Sequence, residues 1–561
     1  MKKTGADIFW ECMVREGVEV VFGFPGGAIM PIYDTLLNYP VHHVLVRHEQ
    51  GASHMADGYA RASGKVGVAM ATSGPGATNL VTGIATAMMD SSPTVFVTGQ
   101  VHAHLIGGDA FQETDMTGIT LPITKHNYLV TRASDVAQVV REAFYIARSG
   151  RPGPVLIDIC KNAQVEAVDY VYPEKVSLPG YEPPSSAPRA EIQRAAEMIA
   201  QARRPVILAG HGVLMSGAAE VLKALAVKIQ TPVAMTLLGL GAFPASHPLS
   251  LGMMGMHGEA YTNLAIQNAD LLLALGMRFD DRVTGNLKTY APNARKIHIE
   301  IDPSEVHKNV RVDLPLVGDL TSVLTKLYPL LDEEDHTEWL DQIAEWRSES
   351  ESRDIISWPK DEKMRTAHIV HDIWQATQGD ATIVTGVGQH QMWAAQYYHF
   401  ERENRLITSG GAGAMGFGLP AAIGAWFARP EELIWVIDGD GSFQMTQAEL
   451  STAVQEGANV KIAIMNNSFL GMVRQWQEFF FDSRYSGTPI GGPDFVKIAE
   501  AHGIPGRRIT AHAEVHPALE FAQQTCGPVL LDFRVEQEEA VYPMVPAGAD
   551  LDKMIRRPVR Q

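Results

Sequence analysis

From residue 5 to about residue 168, short apolar runs rich in β-branched side chains alternate with helical stretches. The runs at 18–23, 44–46, 66–71, 94–98 and 155–159 are too short for helices and lie between glycine and polar positions, so they read as buried strands. The same alternation returns with runs at 206–209, 233–235, 271–275 and 296–301, and again in the last third with 433–437 and 460–465. Strand and helix in alternation build a doubly wound parallel sheet, which predicts an α/β protein of three such domains over 1–172, 189–335 and 363–535. A proline-rich passage over 173–188, with Pro179, Pro183 and Pro184, breaks the first pattern and reads as a linker. The acidic, serine-bearing stretch 332–353 reads as a solvated helix that enters a connecting segment, 336–362. A tail over 536–561 carries Pro543, Pro546 and Pro558. The three sections share one architecture without a sequence repeat.

Length agrees with this division, because single cores stop growing near about 250 residues and the chain has 561. With 46% hydrophobic and 20% charged residues the chain has an ordinary globular composition. A net charge of -18 with no lysine or arginine cluster argues against a nucleic-acid partner, so anionic ligands must be met by local donors. Cys12, Cys160 and Cys526 are odd in number, far apart and without metal-ligand spacing, which predicts reduced packing residues in a cytosol. The first residues enter a helical pattern with no apolar signal core, and no eighteen-residue apolar run follows anywhere, so a cytoplasmic protein is expected.

The most informative stretch is Gly439-Asp440-Gly441-Ser442, at the end of the 433–437 run, with twenty-four residues between Gly441 and the pair Asn466-Asn467. Thr446 and Glu449 have capping-box spacing for a helix reaching about Glu456, and Gly457 supplies its left-handed stop. A strand-helix-strand unit makes its two strands parallel and ends both at one sheet edge, so Asp440 and Asn467 emerge side by side. A carboxylate and an amide oxygen there suit a hard cation with octahedral oxygen ligation, Mg2+ rather than zinc, while the glycines admit a diphosphate to the backbone. The bland alternative is a tight Asp-Gly turn and a polar strand end.

Glu49, in Arg47-His48-Glu49-Gln50-Gly51-Ala52, follows a strand and opens a helix, a place where a carboxylate is also favourable simply for the helix dipole. Phe22-Gly-Phe-Pro25-Gly26-Gly27-Ala28 and Ser73-Gly-Pro75-Gly76-Ala-Thr-Asn79 are glycine loops at strand ends, open to close approach by a flat ring or a substrate. Gly411-Ala-Gly413-Ala-Met415-Gly416 matches the dinucleotide-binding fingerprint, with Glu431 and Glu432 near its acidic position. It lies late in its section, however, and Gly418, Leu419 and Pro420 place the helix start beyond it. His42-His43 and the pair His102 and His104 lack a cysteine or carboxylate at ligand spacing and read as surface or loop residues.

The spacing from Gly439 to Asn467 resembles the thiamine diphosphate (ThDP) motif, and nearly the whole chain resembles the acetohydroxyacid synthase (acetolactate synthase) catalytic-subunit family. The resemblance rests on Gly26-Gly27-Ala28, Arg47 to Gly51, Ser73 to Asn79, Asp109-Ala-Phe111-Gln112-Glu113-Thr114 and Thr124-Lys125-His126. It continues through Ser149-Gly-Arg151-Pro-Gly-Pro154, Arg278-Phe-Asp280-Asp281-Arg282, Gly386-Val387-Gly388-Gln389-His390-Gln391-Met392 and Gly471-Met472-Val473-Arg474-Gln475-Trp476. It implies a ThDP enzyme that decarboxylates pyruvate and ligates the remaining two-carbon unit to pyruvate or 2-ketobutyrate, in branched-chain amino-acid synthesis. Glu49 is then the carboxylate that activates the aminopyrimidine, with Pro25, Gly27, Pro75 and Asn79 beside it on the same cofactor.

On the other half of ThDP the resemblance implies Val387, Gly388, Gln389, His390, Met415 as the apolar wedge, Gly439, Asp440, Gly441, Ser442, Leu470, Gly471 and Met472. Asp440, Asn467 and the Phe469 carbonyl are the implied Mg2+ ligands. Phe111, Gln112 and Lys161 join Glu49 as implied catalytic residues, and Met472 and Trp476 as residues of substrate specificity. The family also implies FAD in the middle domain, on Arg151, Gly210, His211, Gly212, Thr236, Leu237, Leu251, Gly252, Met253, Met256 and His257. Gly276, Arg278, Asp280, Arg282, Val283, Glu300, Ile301 and Asp319 complete that set, although the methionines alone would be core filler. It further implies a homodimer or tetramer whose active site joins two chains, and a regulatory small subunit. The chain departs from the family pattern at Cys160 and Asn162 beside Lys161, at His102 and at His211. The rival readings are a FAD- and ThDP-dependent pyruvate oxidase, another ThDP-dependent 2-keto acid decarboxylase, and a cofactor-free regulatory paralogue, the last opposed by intact Glu49, Asp440 and Asn467.

Overall fold

Runs of Val, Ile, Leu and Ala without a polar face become the centres of three parallel sheets, buried on both sides as parallel strands must be. Val20–Gly23, Gly67–Ala71, Thr94–Gln100 and Val155–Cys160 are buried throughout, as are Pro205–Ala209, Leu271–Leu275, Ile434–Gly439 and Val460–Asn466. The computed structural model describes residues 2–358 and 362–559, with three six-stranded parallel sheets flanked by helices. The fold is therefore α/β with three doubly wound sheets.

The three sheets are not identical. Counting strands one to six within each, the first and third both run 2-1-3-4-6-5, whereas the middle sheet runs 3-2-1-4-5-6. The second order is that of dinucleotide-binding sheets, and in both orders the crevice forms where chain order reverses, beyond the carboxyl ends of the strands. That rule selects 24–28 and 72–79 in the first sheet, 210–212 and 276–280 in the second, and 386–390 with the segment after Gly439 in the third.

Lys2–Thr4 is a strand paired antiparallel with Ala167–Asp169, so the helix starts only at Gly5, capped by the Thr4 hydroxyl. The stretch expected to be a solvated helix forms Thr337–Glu351 but buries Trp339 and Ile343, and the Trp339 indole donates to the Pro205 carbonyl at 3.2 Å. Cys12 and Cys160 are buried as expected, whereas Cys526, also expected to be a packing residue, is exposed. No described helix is long and apolar enough to cross a membrane.

Helix Glu49–Ser63 of the first sheet lies against helix Gly418–Ala428 of the third. Glycine allows the approach: a Cβ at Gly58 would stand 2.1 Å from the Ala421 carbonyl oxygen, and one at Gly424 1.9 Å from that of Met55. Backbones this close fix the Glu49 helix relative to the sheet that carries Asp440.

Candidate active site

Ile434–Gly439 and Val460–Asn466 pair in parallel with Gly439 opposite Met465, which delivers Asp440 and Asn467 to one edge. The capping box does not form. Helix Asp440–Gln444 starts directly after the strand, and Thr446 donates its hydroxyl to the Gly416 carbonyl instead. The helix Leu450–Glu456 does end at Gly457, whose φ is 68°. Asp440 is buried, and desolvation pushes its carboxyl up to about 6 against the pull of backbone amides including those of Gly441 and Ser468. Asn467 accepts the Phe469 amide at 3.0 Å across a turn in which Ser468 has φ 59°.

A small cavity opens here, walled by Val387, Gly388, Gln389, His390, Met415 and the Gly439 to Ser442 segment. Asn467, Phe469, Leu470, Gly471 and Met472 close its other side. Every third-domain residue expected at the cofactor thus lines one space. At Gly471 a Cβ would meet Gln389 Oε1 at 2.2 Å and Asn467 Nδ2 at 2.8 Å, so a larger residue would have to displace two side chains of the cavity wall. Gln389 donates to Gln475 Oε1 and the Glu539 carbonyl at 2.9 Å each, while its own Oε1 is buried without a hydrogen-bond partner, as is His390 Nε2, which lies 3.5 Å from Asp438 Oδ1. Burial lowers His390 to about 3, so the ring is neutral, and raises the adjacent Asp438 carboxyl to about 7. Buried polar atoms without hydrogen-bond partners beside a glycine-lined cradle suit a polar ligand.

A second cavity of about 1270 Å³ shares Val387, Gly388, Met415, Met472 and Val473 with the first. It exceeds the roughly 300–1,000 Å³ of ordinary small-ligand pockets. Of the residues expected at FAD it is lined by Arg151, His211, Gly212, Thr236, Leu237, Met253, Met256, His257, Gly276, Arg278, Asp280, Arg282, Val283, Glu300, Ile301 and Asp319. Gly210, Leu251 and Gly252 are not in its wall. Gly210 serves the crossing, since a Cβ would lie 2.2 Å from the Gly276 carbonyl oxygen, and Leu251 belongs to the core. Gly252 is a strand residue with φ 72°. His211, where the resemblance expects glycine, turns Nδ1 toward the Asp90 carbonyl at 3.0 Å and is held neutral by burial.

Apart from Arg151, the residues expected from the first domain, those for ThDP and catalysis, stand apart from both cavities. Glu49 opens helix Glu49–Ser63, is 9% exposed and accepts Asn79 Nδ2 at 2.9 Å. Pro25, Gly27, Pro75 and Asn79 lie in the two glycine loops around it, and Gln112, with φ 59°, packs its Cβ 2.8 Å from where a Cβ on Gly74 would stand. Phe111 is 87% exposed. Lys161 begins the short helix Lys161–Val165. Asn162 beside it is structural, accepting Ala103 N and donating to the Thr131 carbonyl at 2.8 Å each. None of these lines either cavity of the same chain.

Sequence reasoning passed over Asp90, Ser91, Leu238, Ser409 and Gly410, all in the wall of the large cavity, and met Gly411 to Gly413 only as a fingerprint. Asp90 is buried, pairs with Arg61 at 2.7 Å and accepts the Gly410 and Gly411 amides at 3.1 and 2.6 Å. The fingerprint-like 411–416 segment is consequently a ligand-cavity loop ahead of helix Gly418–Ala428, and not the start of that helix. The signal available for Asp90 was its place at the end of a helix beside a strand. His42 is paired with Glu456 at 2.8 Å, and no group of three or more His, Cys, Asp or Glu among the described residues could hold a metal ion.

Models of thiamine pyrophosphate enzymes match three parts of the chain: the N-terminal TPP binding domain over 3–119, the central domain over 192–327 and the C-terminal TPP binding domain over 386–533. The acetolactate synthase large subunit of Corynebacterium glutamicum is 46% identical over 98% of this chain and 89% of its own. Isozyme 3 large subunit of Escherichia coli is 45% identical over 98% of each chain. The chain belongs to the acetolactate synthase large-subunit family. A probable acetolactate synthase large subunit of Methanocaldococcus jannaschii, 45% identical over 99% of this chain and 95% of its own, extends that family's similarity to an archaeal member. As a thiamine pyrophosphate enzyme the family keeps its two cofactor-binding domains at the ends of the chain, which is where the two sheets of order 2-1-3-4-6-5 stand.

Proposed function

We propose that the chain is an acetolactate synthase, which removes CO2 from pyruvate and joins the remaining two-carbon unit to a second pyruvate or to 2-ketobutyrate. This would open the synthesis of valine, leucine and isoleucine in the cytoplasm, with a regulatory small subunit, as the large-subunit name of its relatives suggests. The observation that carries the reading is a full-length family match combined with two cavities that share a wall.

The residues present fit the cofactors. ThDP supplies, when bound, the electron sink that lets a 2-keto acid lose CO2. Its diphosphate suits the small cavity, where glycines keep the backbone open and Asp440, Asn467 and the Phe469 carbonyl offer oxygen atoms to Mg2+. FAD suits the large cavity: the crevice lies at the reversal point of a dinucleotide-type sheet, with Arg151, Arg278 and Arg282 for a diphosphate and the Glu300 carboxyl, raised to about 7 by burial, at a strand end. Glu49 would hydrogen-bond the aminopyrimidine and exchange a proton with it, and Asn79, donating Nδ2 to Glu49 Oε2, orients the side chain. Because the Glu49 group lines neither cavity of its own chain, the complete site takes Glu49, Gln112, Phe111 and Lys161 from a second copy, as a dimer or tetramer.

The test is anaerobic incubation of purified, ThDP- and Mg2+-loaded protein with pyruvate, with product assay and flavin absorbance read together. Acetolactate should form while the flavin stays oxidised, since the carboligation is redox-neutral. Acetate, with flavin bleaching and a need for an electron acceptor, would make the protein a pyruvate oxidase.

Acceptor choice follows from Trp476. It sits one turn after Met472 on helix Gly471–Phe480, both in the large cavity wall, with the Arg282 guanidinium 5.9 Å from its ring centroid. An indole there can pack on the extra methyl of 2-ketobutyrate, a discrimination of about 1–3 kcal/mol. Wild type should therefore prefer 2-ketobutyrate, and Trp476→Leu should shrink the preference while pyruvate decarboxylation continues. An unchanged product ratio in competition, in a folded ThDP-loaded variant, would remove Trp476 from the specificity site.

A further inference from the structure

Glu449 has the spacing of a local cap, but its carboxylate does no local capping. It is 1% exposed and reaches across to the first domain, where Oε1 accepts the Arg47 amide at 3.1 Å and the His48 amide at 3.0 Å. Oε2 accepts the Arg47 amide at 3.2 Å and the Thr452 hydroxyl at 2.6 Å. These two amides immediately precede Glu49. The helix that Glu49 opens already has a local cap, the His48 ring accepting the Gln50 amide at 3.1 Å, so the bonds from Glu449 act on the strand-to-helix turn itself. Gly51 makes the seat possible: a Cβ there would stand 2.3 Å from Glu449 Oε1.

We propose that Glu449 is a positioning residue for the reaction, setting the direction in which the Glu49 carboxylate leaves its turn. The proposal rests on the reading of Glu49 given above and extends it to a residue of another domain. Charge-assisted bonds to two successive amides fix both peptide planes ahead of Glu49. Glu449 ends the short turn Gln447–Glu449 that follows helix Asp440–Gln444, so its grip ties the Glu49 turn to the third domain of the same chain. A shift of about 1 Å at a group that moves a proton costs up to about 100-fold in rate.

The experiment compares Glu449→Ala, Glu449→Gln, Gly51→Ala and Glu49→Gln in full-length, ThDP- and Mg2+-loaded protein, reading kcat, KM for pyruvate, bound ThDP and amide hydrogen exchange over residues 45–50. Glu449→Ala and Gly51→Ala should keep ThDP and KM while kcat falls about 10- to 100-fold. The Arg47 and His48 amides should lose about ten-fold or more of their protection, the worth of a charged hydrogen bond. Glu449→Gln keeps an acceptor oxygen for both amides and turns its NH2 to Thr452, so it should restore most of kcat and protection. A folded Glu449→Ala with wild-type kcat, or with lowered kcat but unchanged protection at Arg47 and His48, overturns the proposal. If Glu449→Ala does not fold, Gly51→Ala decides by the same two readings. Glu49→Gln separates the layers: normal turnover in that variant removes the role of Glu49 itself, whereas an inactive Glu49→Gln beside a fully active Glu449→Ala removes Glu449 alone.

Discussion

Glu49→Gln should keep ThDP bound and lose about 100- to 10,000-fold in turnover, the usual worth of a positioned acid-base group. The amide has the size of the carboxyl and can still face Asn79 Nδ2 through its oxygen, so the turn and the fold should survive. What it lacks is a proton that can move between the side chain and the aminopyrimidine. The readout that isolates this step is exchange of the cofactor's thiazolium C2 proton, followed by NMR, which should slow in parallel with turnover. Near wild-type exchange would show that Glu49 is only a helix-starting carboxylate in a favourable dipole. Loss of ThDP, rather than loss of exchange, would assign it to binding and leave the proton transfer to another group.

The central strands were legible in the sequence because a buried parallel strand writes itself as an unbroken apolar run, as at 271–275 and 460–465. Edge strands do not. His126–Val130 is exposed or half-buried at four of its five positions, Leu314–Val317 alternates, and Leu406–Ile407 has two residues, so none carries a continuous signal. The difference in strand order between the middle and outer sheets was equally invisible, since order is a property of crossovers and not of periodicity. Helix Thr337–Glu351 forms as a helix with all but two positions exposed or half-buried, and its composition hid only the narrow buried face, which Trp339, Ile343 and Trp346 mark by recurring at helical spacing. Glu449 was misread for a deeper reason. A capping box is a statement about four consecutive residues, and the backbone partners that claim its carboxylate lie 402 and 401 residues away. The site divides along the same line: the Gly439 to Asn467 unit is local and was readable from spacing, whereas the separation of Glu49 from both cavities of its own chain required coordinates.

Asp440→Ala should lower ThDP retention by at least the roughly 10- to 100-fold that loss of a lesser, outer partner costs a metal site. High Mg2+ should restore only part of it, because Asn467 and the Phe469 carbonyl, the two oxygens that remain, are neutral. The sign of the stability change separates a metal ligand from a structural residue. Asp440 is 2% exposed, and its favourable neighbours are backbone amides, with the Arg534 charge a lesser influence. An ionised carboxylate so placed is a cost to the cofactor-free protein and a gain only when a cation reaches it. The alanine variant should therefore unfold at the same temperature as wild type, or higher, without ThDP and Mg2+, and at a lower temperature with them. If Asp440 instead held the turn together by its hydrogen bonds, the variant would be less stable in both conditions by a similar amount. Thermal unfolding with and without the cofactor pair, alongside ThDP binding measured against Mg2+ concentration, decides between them, and an unchanged ThDP affinity would remove Asp440 from the metal site.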